Sequence, residues 1–135
     1  MYPKPIPRVW LNGTFDVLHT GHIKLFRYAR MLAGQKGQVY VGLDTDERIQ
    51  QSKGPSRPIN SLEDRIVFLS SIKYVDWVTP FSTDDELIAT IERIKPHYML
   101  IGDDYRGRPI LGSQHIENII YITRDGKSTS DIINR

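Results

Sequence analysis

Two kinds of segment alternate along the chain, distinguished by how apolar residues are spaced. Short apolar runs indicate buried strands at residues 8–11, 38–43, 77–79 and 98–101. Apolar residues at helical spacing predict helices between and beside them, over residues 20–32, 46–51, 61–71 and 84–95. This order predicts an α/β fold, a single Rossmann-like doubly wound parallel sheet with helices on both faces.

The predicted helices carry local signals of their own. Ser61 with Asp64, and Thr83 with Glu86, have the capping-box spacing of a helix start. In the first helix we expect Lys24, Arg27 and Arg30 to form a solvated face. The apolar positions of the helices are expected in the core: Ile23, Phe26, Ala29, Leu32, Ile66, Val67, Leu69, Leu87, Ile88, Ile91 and Ile94.

Length and composition favour one globular domain over residues 1–135. The chain has 135 residues, is 39% hydrophobic and 25% charged, and has a net charge of +2. This charge does not require a nucleic-acid or membrane partner, and we expect neither. There is no cysteine, which excludes disulfides and thiol catalysis. With no signal peptide or long apolar run in the sequence, we expect a cytoplasmic protein.

The junction between the first strand and the first helix, residues 13–22, favours phosphate chemistry. A helix start offers unpaired N–H groups and the positive end of the helix dipole to an anion. Gly13 and Gly21 allow the backbone to approach a ligand closely. If the helix begins near Thr20, His19 and His22 lie on one face and donate to a single phosphoryl group. Taken alone, this pair is also compatible with a metal site or with surface residues.

Ligands of doubly wound sheets bind at the carboxyl ends of the strands, where the strand order reverses. The segments that follow predicted strands are therefore the candidates for a site: residues 12–22, 44–46, 80–84, 102–108 and 123–130. His97 and His115 have no partner at metal-ligand spacing, and we interpret them as structural or exposed.

Gly-Thr-Phe-Asp followed by His-Thr-Gly-His, at residues 13–22, resembles the HxGH nucleotidyltransferase superfamily, which includes the cytidylyltransferases. The resemblance implies that His19 and His22 stabilise charge on an α-phosphate while another phosphate attacks it and pyrophosphate leaves. It also implies that Thr14 and Phe15 line the nucleotide and that Asp16 contacts the substrate.

The loop after the second predicted helix, residues 53–60, is similar to the nucleotidyltransferase domain of bacterial ADP-heptose synthases. The resemblance implies that Lys53 approaches the phosphates, with Arg57 a weaker candidate. Composition alone is compatible with a mobile basic loop that folds over phosphates, or with an ordinary surface loop. Arg65 either takes part in the site or makes a structural salt bridge.

Gly102-Asp103-Asp104-Tyr105 resembles a motif of glycerol-3-phosphate cytidylyltransferases. Gly102 is expected beside the nucleotide. Asp103 and Asp104 are expected to hold acceptor hydroxyls or an outer-sphere Mg²⁺, and the alternative is a turn with solvent-facing acids.

Residues 124–130 look like the second nucleotide motif of the superfamily. The resemblance implies that Arg124 pairs with phosphate and that Ser128 and Thr129 begin a helix facing the phosphates. Ser128 and Asp131 have capping-box spacing. A P-loop is rejected because residue 121, where that motif needs glycine, is Tyr121.

These motifs predict an enzyme that transfers NMP from ATP or CTP to a sugar or polyol phosphate, leaning to a heptose 1-phosphate adenylyltransferase. A glycerol-3-phosphate cytidylyltransferase is the alternative, and a non-catalytic nucleotide-binding regulatory module is the alternative of another class. Mg²⁺ is expected with the triphosphate and not bound directly by the protein. A homodimer is expected, with Trp77 at the contact.

Overall fold

A six-stranded sheet forms the centre of the molecule. The computed structural model describes residues 6–102, 107 and 109–123, and the backbone of residues 128–134. The strands are β1 (Arg8–Gly13), β2 (Gln38–Asp44), β3 (Trp77–Phe81), β4 (Tyr98–Gly102), β5 (Asn118–Ile122) and β6 (Ser128–Asn134). Their order in the sheet is β3-β2-β1-β4-β5-β6. β1 to β5 are parallel and β6 runs antiparallel to β5.

In the described residues, four α-helices lie between β1 and β4: α1 (Thr20–Ala33), α2 (Asp46–Lys53), α3 (Leu62–Ser70) and α4 (Asp84–Ile94). The two predicted caps are confirmed, because Ser61 Oγ accepts from Asp64 N at 3.2 Å and Thr83 Oγ1 accepts from Glu86 N at 3.1 Å. No helix in the described ranges is long and apolar enough to cross a lipid bilayer.

Apolar residues on both faces of the sheet confirm the doubly wound architecture. Successive side chains of a strand point to opposite faces, so Val9 and Leu11 join one buried cluster with Phe26 of α1, while Trp10 joins a second with Ile91 of α4. The parallel strands are thus buried between two layers of helices, as the sequence predicts.

Some predicted core and surface positions are wrong. Ile23 is 37% exposed and Val67 is 57% exposed. The face of each helix that packs on the sheet is narrower than the stripe of apolar residues along that helix, so these two side chains lie outside it. Arg30 is not part of a solvated face. Its guanidinium donates to the backbone oxygens of Gly34, Gly37 and Tyr74 and pairs with Asp76.

The largest difference from the sequence prediction is at the end of the chain. Ser128 and Thr129 were predicted to begin a helix, and they begin β6 instead. The strand pairs with β5 from Asn118 opposite Asn134 to Ile122 opposite Ser128. Because β5 would otherwise be an edge strand of the parallel sheet, backbone pairing along it competes with the local capping signal.

Candidate active site

The β1–α1 junction lies where the strand order reverses. β1 pairs with β2 along its whole length, and with β4 through Val9–Tyr98 and Trp10–Met99. α1, which follows β1, packs on one face of the sheet, and α4, which precedes β4, packs on the other. Ligands of such sheets bind at the carboxyl ends of the strands at this point. Gly13 ends β1 and Gly102 ends β4. The structure therefore places both predicted glycines at the expected edge.

The side chains of His19 and His22 both accept backbone hydrogen bonds at the start of α1. His19 is the N-cap, and its Nδ1 accepts from the backbone N–H of Gly21 at 3.0 Å. His22 Nδ1 accepts from the backbone N–H of His19 at 3.1 Å. The ring centroids lie 4.0 Å apart with a tilt of 36°. The chain thus brings the two histidines together as the motif predicts.

These bonds assign the proton of each neutral ring. Since Nδ1 accepts a backbone N–H in both rings, the proton of the neutral form lies on Nε2. Burial lowers the pKa of His22, and the neighbouring His19 lowers it further. His22 is therefore a neutral Nε2–H donor near pH 7.

Phe15 packs against His22 and is largely shielded from solvent. It is 8% exposed, and its ring lies nearly perpendicular to that of His22, with centroids 5.5 Å apart. The sequence predicts that Phe15 lines the nucleotide. In the structure its ring contacts His22 and Phe26, and little of the residue is exposed.

Asp16 ties the β1–α1 junction to the loop between α2 and α3. Its two carboxylate oxygens accept from the backbone N–H groups of Ile59 and Asn60 at 2.8 and 2.7 Å, and Arg57 Nε lies 3.5 Å away. Burial raises the pKa of Asp16, but these hydrogen bonds and the charges of Arg57 and Arg65 outweigh burial and hold the pKa below its ordinary value. Asp16 is predicted to contact the substrate, and in the structure both of its carboxylate oxygens accept hydrogen bonds from the loop.

Arg65 makes a structural ion pair, which is one of the two roles that the sequence allows for it. Its side chain is fully buried, and Nη2 pairs with Asp46 at 2.7 Å. The same guanidinium donates to the carbonyls of Thr14 and Asp44 at 3.0 and 2.7 Å and to the carbonyl of Asn60 at 3.1 Å. One side chain thus joins the ends of β1 and β2 to α2 and to the loop.

Sequence reasoning missed a polar network at the carboxyl ends of β2 and β3. Asp44 accepts from Thr14 Oγ1 at 3.1 Å and from Arg48 Nε at 3.1 Å. Arg48 also pairs with Asp84 at 2.8 Å. The i, i+4 spacing of Asp44 and Arg48 was the available signal, and it marks the predicted segment 44–46 as part of this edge.

The structure describes some of the remaining predicted residues and not others. Lys53 is the exposed last residue of α2. Asp103, Asp104 and Arg124 lie outside the described residues. His97 is structural as predicted, because its Nδ1 accepts from Arg8 N at 3.0 Å.

An open cavity of about 400 Å³ adjoins the junction, lined by Asp16, Val17, Leu18, Asn60, Phe68 and Ser71. In the part of the chain that the structure describes, no group of three or more His, Asp or Glu side chains is placed to hold a metal ion.

Comparison with known proteins connects this geometry to one family. The family model described as cytidylyltransferase-like matches residues 10–135. The bifunctional protein HldE of Campylobacter concisus (strain 13826) is 41% identical over 128 residues, which are 94% of this chain and 26% of the relative. HldE of Sulfurimonas denitrificans is 38% identical over 128 residues, with 94% and 26% covered. The chain thus spans about a quarter of the length of these relatives.

Solved structures share the fold. The crystal structure of a lipopolysaccharide core biosynthesis protein from Thermoplasma volcanium matches with a TM-score of 0.65 at 24% identity, over 76% of this chain and 79% of that one. A pantothenate synthetase from Thermus thermophilus matches with a TM-score of 0.58 at 15% identity, over 95% and 60%.

Proposed function

Because the chain belongs to the cytidylyltransferase-like family of nucleotidyltransferases, we propose that it transfers AMP from ATP to the phosphate of a heptose 1-phosphate and releases pyrophosphate. The observation that carries the transfer is the pair of imidazoles at the start of α1. Each has its Nδ1 occupied by a backbone N–H, so each presents Nε2–H to a ligand at the carboxyl edge of the sheet.

The proposed reaction is a direct displacement. An oxygen of the acceptor phosphate attacks the α-phosphorus, a new phosphorus–oxygen bond forms, and the bond from the α-phosphorus to the bridging oxygen breaks. Pyrophosphate leaves with that electron pair. The acceptor phosphate is already a nucleophile, so the protein needs no covalent intermediate and contributes alignment and charge stabilisation.

Each residue of the proposed site has one task. His19 and His22 donate to the oxygens of the α-phosphate as negative charge accumulates there. Gly13 and the backbone of Thr14 and Phe15 lie at the edge where the nucleotide binds. Phosphate binding is assigned to Lys53 and Arg124, nucleotide contacts to Gly21, Gly102, Ser128 and Thr129, and acceptor contacts to Asp103 and Asp104.

Mg²⁺ is proposed to enter with the triphosphate. The carboxylates that the structure describes near the histidines are already engaged, Asp16 by the loop backbone and Asp44 by Thr14 and Arg48. A cation coordinated mainly by phosphate oxygens fits this arrangement, because Mg²⁺ commonly binds through substrate phosphates. When bound, it neutralises phosphate charge.

The acceptor is proposed from the sequence of the α2–α3 loop. Residues 53–60 resemble the corresponding loop of ADP-heptose synthases, and relatives at 41% and 38% identity are bifunctional HldE proteins. In the structure this loop is held against the β1–α1 junction through Asp16. An acceptor bound by the loop therefore lies near the histidines.

The test is pyrophosphate release measured with ATP and CTP side by side, with Mg²⁺, against heptose 1-phosphate and glycerol 3-phosphate. We expect release with ATP and heptose 1-phosphate. Release only with CTP and glycerol 3-phosphate would overturn the acceptor and base and favour the cytidylyltransferase alternative. No release with any pair, together with tight nucleotide binding by calorimetry, would favour a regulatory nucleotide-binding module.

A further inference from the structure

The backbone of Phe15 has an unfavourable conformation next to the histidine pair. Its φ is 46°, in the left-handed region that an aromatic residue rarely adopts. Among the described residues the other non-glycine with positive φ is Lys95, which is the left-handed cap at the end of α4. Phe15 lies four positions before the N-cap of α1, so capping does not explain its conformation.

The left-handed conformation places the Phe15 ring in a closely bounded space. A Cβ built on Gly13 would lie 3.3 Å from two ring carbons of Phe15, so glycine at this position leaves room for the ring. On another side the ring contacts Phe26 of α1, with centroids 5.2 Å apart. Gly13 and Phe26 thus restrict the movement of the ring.

The Phe15 ring in turn restricts His22. The imidazole has Phe15 nearly perpendicular to it at 78° and His19 on another side at a centroid distance of 4.0 Å. Its Nδ1 is held by the backbone N–H of His19. Rotation of the His22 ring would break this bond or collide with one of the two neighbouring rings.

We propose that Phe15 is a positioning residue whose ring fixes the direction of the His22 Nε2–H bond. The inference deepens the proposed function and rests on it, because the direction of the bond matters only if His22 donates to a phosphate. In the structure the ring reaches this place with the backbone of Phe15 at positive φ. Positioning of this kind has large effects on rate, since a misplacement of about 1 Å costs on the order of 10²-fold.

The experiment uses two variants of the full chain. F15L removes the aromatic ring and keeps the left-handed strain. F15G removes the ring and also removes the strain, because glycine adopts positive φ readily, so it remains informative if F15L does not fold. The matched control is F81L, the same change at a buried phenylalanine of the opposite cluster.

The first readout is nitrogen NMR of the imidazoles in the ligand-free protein, which reports the tautomer and the pKa of His22. We expect both Phe15 variants to lose the exclusive Nε2–H tautomer and to raise the pKa of His22 toward 6.5, because water then reaches the ring. His19 is the titratable group that acts on His22 among the described residues, and it is unchanged in every variant. F81L is expected to leave both properties of His22 unaltered.

The second readout is steady-state kinetics with the acceptor, heptose 1-phosphate or glycerol 3-phosphate, that gives pyrophosphate release in the wild type. In F15G we expect kcat to fall at least about tenfold while the nucleotide KM changes less than about twofold, since the lost interaction acts on the transition state. An unchanged His22 tautomer and pKa in both variants, or an unchanged kcat, would overturn the inference. If the wild type turns over no acceptor, the proposed function fails by itself, and an unaltered NMR titration still overturns the role of Phe15.

Discussion

At the scale of single residues, His19 and His22 share one chemistry in different surroundings. His19 is exposed and caps α1. His22 is half-buried, with Phe15 on one side and His19 on the other. Both rings use Nδ1 to satisfy backbone donors that a helix start leaves unpaired, so the structural task and the proposed catalytic task use opposite nitrogens of the same ring.

This separation of tasks makes His22→Asn a sharp test. The asparagine oxygen lies close to where Nδ1 was and continues to accept from the backbone N–H of His19, whereas the Nε2 donor is lost. We expect kcat to fall by at least about 10², while the free energy of unfolding stays within about 1 kcal/mol of wild type. The matched control is His115→Asn, at an exposed position in the 3₁₀ turn Ser113–His115. A His22→Asn rate within threefold of wild type would contradict the proposed role.

A pH dependence follows from two histidines with lowered pKa. Burial lowers the pKa of His22 and of His97 below 6.5. The neighbouring His19 lowers the pKa of His22 further, and Arg8 lowers that of His97 further. The folded state favours the neutral form of both rings. Their contribution to the free energy of unfolding is therefore fully present above pH 6.5 and is lost as pH falls through their folded-state pKa values. Urea unfolding at several pH values should show stability decreasing below pH 6.5.

The control for this pH dependence is the double variant His22→Asn, His97→Asn. Its unfolding free energy should change less between pH 7 and pH 5 than that of wild type. The pKa of Asp16 is lowered from 3.8, so its contribution is lost only in more acidic solution and does not overlap this window. Stability that is constant or increases on acidification from pH 7 to 5 would refute the assignment.

At the scale of elements, the β1–α1 junction depends on the α2–α3 region for its shape. Arg65 of α3 holds the carbonyl of Thr14, and Asp16 holds the backbone of the α2–α3 loop. The side chain of Asn60 donates back to the carbonyl of Asp16. The histidine segment and the basic loop are therefore one connected unit.

Replacing Arg65 should test the strength of this unit. Arg65→Met keeps much of the volume but removes the ion-pair partner of Asp46 and the Arg65 donors to three carbonyls. The Asp46 side chain is 35% exposed, so water screens much of its charge. A buried polar group left without its partner costs about 1–3 kcal/mol, and we expect a total loss of at least about 2 kcal/mol in urea unfolding. Arg27→Met, at an exposed position of α1, should change stability by less than about 0.5 kcal/mol. If Arg65→Met lowered the free energy of unfolding by less than about 1 kcal/mol, Arg65 would not hold this unit together.

The hydrogen bonds of Asp16 to Ile59 and Asn60 should hold the α2–α3 loop closed. In Asp16→Ala two charge-assisted hydrogen bonds are lost, each worth about 1.5–3 kcal/mol, so the loop should open more often. We expect trypsin to cleave after Lys53 at least about tenfold faster than in wild type. Asp85→Ala, at an exposed position of α4, is the control. Equal cleavage rates in the two variants would show that Asp16 does not anchor the loop.

At the scale of the whole molecule, the strand order decides which surfaces are central and which are peripheral. β1 and β4 lie in the middle of the sheet, and β3 and β6 lie at its edges. Trp77 begins the edge strand β3, is 58% exposed, and has its ring nitrogen held by Gln38 at 2.6 Å. Trp77 is the residue at which the sequence predicts contact between subunits.

The predicted homodimer is tested at this position. We expect the protein to sediment as a dimer at micromolar concentration, and Trp77→Glu to sediment as a monomer because a charge is costly in an apolar contact. Met31→Glu, the same change at another exposed apolar residue, should remain dimeric. A wild-type monomer at this concentration would dismiss the prediction.

The sequence by itself determined the features that depend on neighbours along the chain. Apolar runs and helical spacing located β1 to β4 and the four helices, and the hydroxyls of Ser61 and Thr83 marked two helix starts. The three-residue spacing of His19 and His22 was enough to place both rings on the first turn of α1, because helix geometry alone brings such residues together.

The tertiary structure alone decided the features that depend on distant residues. Asp16 meets Asn60 across 44 positions and Arg65 meets Thr14 across 51, so local patterns carry no signal for either contact. The assignment of Ser128 and Thr129 to a strand follows from pairing with β5, against a local signal for a helix. The left-handed conformation of Phe15 accompanies packing of its ring against Gly13, Phe26 and His22. Backbone pairing and side-chain packing in three dimensions outweigh the local preferences that a sequence displays.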